Sequence, residues 1–238
     1  MLVEVIACSP SEVTAVAEGG ADRIELCAAL EIGGVSPNWA LFEFAKTHTD
    51  LPIAVMCRPR TGNYQYSTDE IDFMCGEIAA FAKAGADFLV VGASGDDFSL
   101  NVDALNRFLD AADGTPLVCH RCFDQVPCLE SALETLMGLG YRRVLTSGAQ
   151  KTAQEGAQVI RKLVDQSDNR IEVLPAAGIR HHNVQDLITS TGVRQVHASV
   201  RSDVKHTPHT VDYGPTPVVL ATEVRRFVEA AKALSSPK

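Results

Sequence analysis

Five ionisable residues fall where a chain built only to fold would place hydrocarbon. Glu4 interrupts the run LVEVIAC, Glu25 interrupts RIELC, Arg58 closes PIAVMCR, and His120 and His197 sit in PLVCHR and RQVHAS. Strand side chains alternate between two faces. Glu4, Ile6 and Cys8 therefore oppose Val3, Val5 and Ala7. Arg23, Glu25 and Cys27 oppose Ile24 and Leu26, and Gln195, His197 and Ser199 oppose Val196 and Ala198. Carboxylates, imidazoles and guanidinium groups collected on one side of a sheet can do acid–base chemistry on a small anion. His120 or His197 would be the general acid or base, oriented by Glu4 or Glu25. Arg58, Arg60 and Arg121 would hold a carboxylate or phosphate. Isomerisation, carbon–carbon cleavage and hydrolysis all fit such a set. Burying these charges is costly unless they are paired, so a satisfied internal network with no other role is the plain alternative.

The cysteines offer a second chemistry. Cys8 and Cys27 end adjacent strands on the same face, and soft thiolates favour Cu(I); two buried cysteines that simply pack are the competing reading. Cys119 and Cys122 have CxxC spacing, but residues three apart on a strand face opposite sides, which argues against a shared metal. Cys57 and Cys119 are expected to pack under helices, and Cys75 and Cys128 to lie in helices. His181–His182 and the His206/His209 pair read as exposed histidines. There is no HExxH or P-loop, and Val91–Gly95 lacks the full dinucleotide fingerprint.

Such side chains need a frame. Eight apolar runs begin near Leu2, Arg23, Pro52, Asp87, Pro116, Arg142, Arg170 and Arg194, each followed by an amphipathic stretch. Ser9-Pro10 and Ser67 look like helix starts; Gly20, Gly85 and Gly140 look like helix ends. Strict strand–helix alternation calls for a parallel sheet. Eight unbroken units favour a single (β/α)8 TIM barrel over residues 1–238, with an open doubly wound sheet as the alternative. The helix-facing layer must be apolar, so the polar face points into the barrel. Its C-terminal mouth, where such barrels place their sites, would gather Tyr66, Asp124, Thr146, Ser147, Gly178 and Ser199. The small-residue turns AAGIRHH and ASVR, each with a helix start expected after it, suit a phosphate. Segment 201–216 reads as irregular.

Composition narrows the partners. With 30 acidic and 21 basic side chains, the net charge of -9 disfavours nucleic acid. No apolar run is long enough for a membrane helix, and the N-terminus lacks the pattern of an export signal. Seven cysteines, an odd number, fit reduced thiols in the cytoplasm. A non-catalytic scaffold whose outer helices bind a partner is a further possibility.

The stretches GGADRIELC (19–27), RPRTGNYQYS (58–67), HRCFD (120–124) and RVLTSG (143–148), with the AGI and VHAS turns, resemble the CutC family of copper homeostasis proteins. The resemblance runs from about Glu4 to Arg201. It implies a cytosolic barrel, a homo-oligomer, and a link to copper. It also implies that Glu4, Glu25, Cys27, Arg58, Arg60, His120, Arg121, Asp124, Thr146, Ser147 and His197 occupy the family's mouth positions. Two positions where the family's copper proposals place inward cysteines are Ile6 and Ala198 here. Cys27 is retained, and Cys8 stands two residues beyond Ile6 on the same face. Copper, as Cu(I) on Cys27 and Cys8, is the metal expected.

Overall fold

The computed structural model describes residues 1–204 and 216–233. Eight parallel strands run β1 (Leu2–Ala7), β2 (Arg23–Leu26), β3 (Ile53–Met56), β4 (Phe88–Val91), β5 (Leu117–Cys119), β6 (Arg143–Thr146), β7 (Glu172–Pro175) and β8 (Gln195–Ala198). From β1 to β7 each strand pairs with the next in sequence, and β8 returns to pair with β1, which makes a TIM-type barrel. Among the described residues the β7–β8 seam carries no ladder; the Gln195 side-chain amide donates across it to the Glu172 carboxylate instead.

Helices α1 (Pro10–Glu18), α2 (Trp39–His48), α3 (Thr68–Lys83), α4 (Val102–Ala112), α5 (Leu129–Leu139), α6 (Ala157–Ser167), α7 (Val184–Thr191) and α8 (Ala221–Lys232) surround it. Their starts follow local chemistry. The Ser9 hydroxyl accepts from the Glu12 N–H, with Pro10 in the first turn, and Ser67 and Glu70 form a reciprocal capping box.

The apolar residues divide into two cores. The larger lies between sheet and helices and includes Val3, Val5, Ile24, Leu26, Leu89, Val144 and Val196. The smaller fills the barrel: Ile6, Cys27, Ala54, Met56, Val90, Val118, Leu145, Leu174 and Ala176. Strand alternation accounts for the division, since successive residues supply one core and then the other.

Several local expectations are corrected. After β8 the chain enters β9 (Arg201–Val204), which pairs antiparallel with β10 (Thr216–Val219), so no helix start follows that turn. Both ends of the segment expected to be irregular are therefore strand; 205–215, with His206 and His209, lies outside the described residues. After β7, α7 begins only at Val184, six positions past Gly178. Cys128 is the N-cap of α5 rather than a helix residue. A 3-10 turn over Arg121–Gln125 breaks strand periodicity after β5 and brings the Cys119 and Cys122 sulfurs to 3.7 Å.

Candidate functional site

A cavity of about 530 Å³ opens at the C-terminal ends of the strands. Glu25, Arg58, His120 and His197 line it, as do Cys27, Arg121, Asp124, Gly178 and Ser199. Glu4 is not a wall residue. It lies one layer deeper, and its two oxygens are both engaged: Oε2 with Arg23 Nε, and Oε1 with His197 Nδ1 at 2.6 Å. Arg23 also donates to Gln195 Oε1 at 2.9 Å. Its neighbour Arg143 pairs with Glu172 at 2.7 Å and lies 3.8 Å from the Phe88 ring centroid. The barrel floor is thus an ion network buried at Glu4, Arg23, Arg143 and His197 and half-buried at Glu172. It explains why β2 and β6 can begin with arginines that face inward.

Environment separates the two inward carboxylates. Burial opposes ionisation of Glu4, but the Arg23 guanidinium and His197 outweigh it and hold its carboxyl at about 2. Glu25 is buried equally deeply, with an Oε2 that has no hydrogen-bond partner. Burial pushes its carboxyl up to about 7, against the attraction of His197. His197 is destabilised as a cation by burial, yet Glu25 and Glu4 raise its affinity for a proton above the ordinary value. With Nδ1 on Glu4, its Nε2 is the nitrogen left for a ligand.

His120 sits just past β5. Its Nδ1 accepts from the Cys122 N–H at 3.2 Å, and its Nε2 is buried without a partner. Gly92 permits this placement, because a Cβ there would stand 2.4 Å from Cys122 Sγ and 2.7 Å from His120 Cε1. Tyr64 packs against the imidazole with its ring tilted by 40°, at 4.6 Å between centroids.

The expected anion-binding residues divide by position. Arg58 donates to the carbonyls of Gly33, Gly34 and Gly62 and lies over Tyr64, so its guanidinium is spent on holding two loops; only Nε lacks a partner. Arg60 points away from the cavity and pairs with Glu70. Thr146 and Ser147 are fully buried and do not line the cavity: they hold Asp124, whose Oδ1 accepts from Thr146 Oγ1 at 2.6 Å and from the Ser147 N–H at 3.0 Å. Asp124 in turn holds Arg121 Nε at 2.8 Å, and Arg121 donates to Ser147 Oγ at 2.8 Å. Arg180, unmarked by strand periodicity because it lies in the loop after β7, lines the cavity with Nη1 3.4 Å from Ser199 Oγ. Arg180 and Arg121 are the cations best placed to meet an anion.

Cys8 lies outside the cavity wall, but its sulfur is 3.4 Å from that of Cys27, and both thiols are free. The adjacent thiol and burial push Cys27 well above the ordinary thiol range. Arg201, at the start of β9, was invisible to the strand pattern; its charge acts on both sulfurs, and it pairs with Glu12 at 3.4 Å. Among the described residues, Glu4, Glu25 and His197 also bring one donor atom each within 4.8 Å of one another. Among those residues, too, no helix is long and apolar enough to cross a membrane.

The CutC family model matches residues 1–202. A CutC family protein of Agrobacterium fabrum is 41% identical over 199 residues, which covers 84% of this chain and 79% of that protein. A human protein named copper homeostasis protein cutC homolog is 38% identical, covering 84% of this chain and 74% of that one. A solved structure of a CutC from Streptococcus agalactiae superposes with a TM-score of 0.80 at 30% identity, covering 84% of this chain and 98% of that one.

Proposed function

Because the chain belongs to the CutC family, we propose that it serves copper homeostasis in the cytosol and takes Cu(I) between Cys8 and Cys27 at the rim of the barrel mouth. One observation carries the reading: two free thiols on adjacent strands stand 3.4 Å apart. Soft sulfur ligands suit Cu(I). Both thiols must lose protons to bind it, so binding releases protons and weakens as pH falls. Arg201 supports the site by offsetting the surplus negative charge of a Cu(I) dithiolate. Ile6 and Ala198 add no sulfur, so the site has two protein ligands. Anaerobic Cu(I) titration of the reduced protein against a chromophoric chelator tests this. One equivalent should bind and be lost in Cys27→Ser and in Cys8→Ser; equal affinity in wild type and Cys27→Ser removes the site.

A different observation favours a second reading. Glu25 Oε2 and His120 Nε2 are buried without partners in residues that face a cavity flanked by Arg121 and Arg180. We propose that this cavity binds a small anion, a phosphate or carboxylate, near Gly178 and Ser199. Acid–base chemistry then falls to Glu25 and to His120 or His197, with Glu4 orienting His197. A thermal-shift screen with inorganic phosphate and small carboxylates tests it: at least one should raise Tm, and Arg180→Met should abolish the rise. No Arg180-dependent shift with any of them would retire the reading.

A further inference from the structure

We infer that Glu25 and His197 form a binding site for a divalent transition-metal cation, distinct from the thiol pair and lying at the inner wall of the barrel mouth. Four observations converge. First, Glu25 and His197 bring one donor atom each within 4.8 Å of one another, a spread that a single cation can draw together. Second, Glu25 is only 2% exposed, and its Oε2 has no hydrogen-bond partner. An unpaired carboxylate is costly at such depth, and coordination is one of the few ways to satisfy it.

Third, the His197 imidazole is already held as ligating histidines are. Its Nδ1 is fixed at 2.6 Å by the Glu4 carboxylate, the outer-carboxylate arrangement that orients a ring and raises the basicity of its other nitrogen. Glu4 itself belongs to this supporting layer, because Arg23 occupies its second oxygen and neutralises its charge. Fourth, both ligands line the cavity, which leaves coordination positions open to water or to a substrate oxygen. An oxygen and an imidazole nitrogen suit zinc, iron, manganese or cobalt in the divalent state, whereas Cu(I) prefers the neighbouring sulfurs.

The site rests on neither reading above, and its test separates them. The full chain, reduced and with both thiols removed (Cys8→Ser/Cys27→Ser), is titrated with Co(II) and Zn(II). Calorimetry gives the stoichiometry, and the visible ligand-field spectrum of Co(II) reports its donors. One equivalent should bind, with no sulfur-to-cobalt charge-transfer band. Glu25→Gln and His197→Gln, each of which removes one of the two protein ligands, should each abolish the bound equivalent, while His181→Ala/His182→Ala should leave it unchanged. Glu25→Gln is the decisive variant, since Oε2 has no partner to lose and the fold should be kept, as circular dichroism would show. Absence of a bound equivalent in the thiol-free protein overturns the site. So does an affinity that Glu25→Gln leaves intact, or a loss of binding that follows His181 and His182 instead. Failure of Cu(I) binding in the thiol-bearing protein would touch the copper reading alone.

Discussion

Glu4 Oε1 and His197 Nδ1 meet at 2.6 Å across the β1–β8 ladder, where the two residues are register partners although 193 positions apart in sequence. This contact binds the first and last barrel strands through their side chains as well as their backbones. It also fixes which imidazole nitrogen the cavity receives. Arg23 makes it affordable by neutralising the same carboxylate from below.

That arrangement sets the cost of losing Arg23. Arg23→Met would strand the Glu4 charge in the barrel floor, and breaking a buried pair on one side typically costs about 3–5 kcal/mol. For a chain of this size Tm should fall by roughly 10 °C. Removing both charges, Arg23→Met with Glu4→Gln, should recover part of the loss. Differential scanning calorimetry of the three proteins decides; an unchanged Tm in Arg23→Met would mean the pair is not buried as described.

Acid sensitivity should report on Glu172. Burial works against its ionisation, but hydrogen bonding from Gln195 and the charges of Arg143 and Arg142 hold its carboxyl below the usual range. A folded value below the unfolded one means that the folded state binds fewer protons. The contribution is thus complete above the ordinary carboxylate pKa and disappears as pH falls through the lowered folded value. Glu172→Gln should lose about 1–3 kcal/mol at pH 7, and urea melts of wild type and variant should converge on acidification. A constant gap down to the acid limit would contradict the assignment.

The barrel and the inward set were legible because both rest on period two: Glu4, Glu25 and His197 stand out against apolar neighbours on short runs, and those positions face the interior. Loop geometry was not legible. Arg58 shares the inward direction, yet its guanidinium is consumed by three loop carbonyls. Arg180 and Arg201 matter through loop and hairpin paths that no periodicity encodes. Thr146 and Ser147 lie at a strand end as expected, but they face Asp124 because the 3-10 turn after β5 brings that carboxylate over them. The same turn defeats the alternation argument for Cys119 and Cys122. Where the backbone leaves the strand, the sequence ceases to say which face a side chain takes.

Gly92 offers a way to move His120 without touching it. A methyl group at that position would overlap both Cys122 Sγ and the imidazole, and overpacking of this kind typically costs about 1–3 kcal/mol. Gly92→Ala should lower Tm by several degrees and shift the His120 ring resonances in NMR, while those of His181 and His182 stay in place. Unmoved His120 resonances would show that the ring is not seated against Gly92.

Asp124 should prove to be the clasp between the β5 and β6 loops. Its carboxylate accepts from Thr146 Oγ1, the Ser147 and Ala149 N–H groups and Arg121 Nε. Asn offers one acceptor oxygen in place of two and turns the other position into a donor. In Asp124→Asn at least one buried N–H or the guanidinium loses its acceptor, at a cost of about 1–3 kcal/mol. Arg121 is also released from the orientation in which it faces the cavity. If that arginine helps to hold an anion, Asp124→Asn should weaken phosphate binding as well as lower Tm, whereas Arg60→Met, on an arginine turned away from the cavity, should leave phosphate binding unchanged. Isothermal titration with inorganic phosphate separates the two outcomes. Equal losses in both variants would mean that the anion is held at the outer rim, and that the Asp124–Arg121 contact serves stability alone.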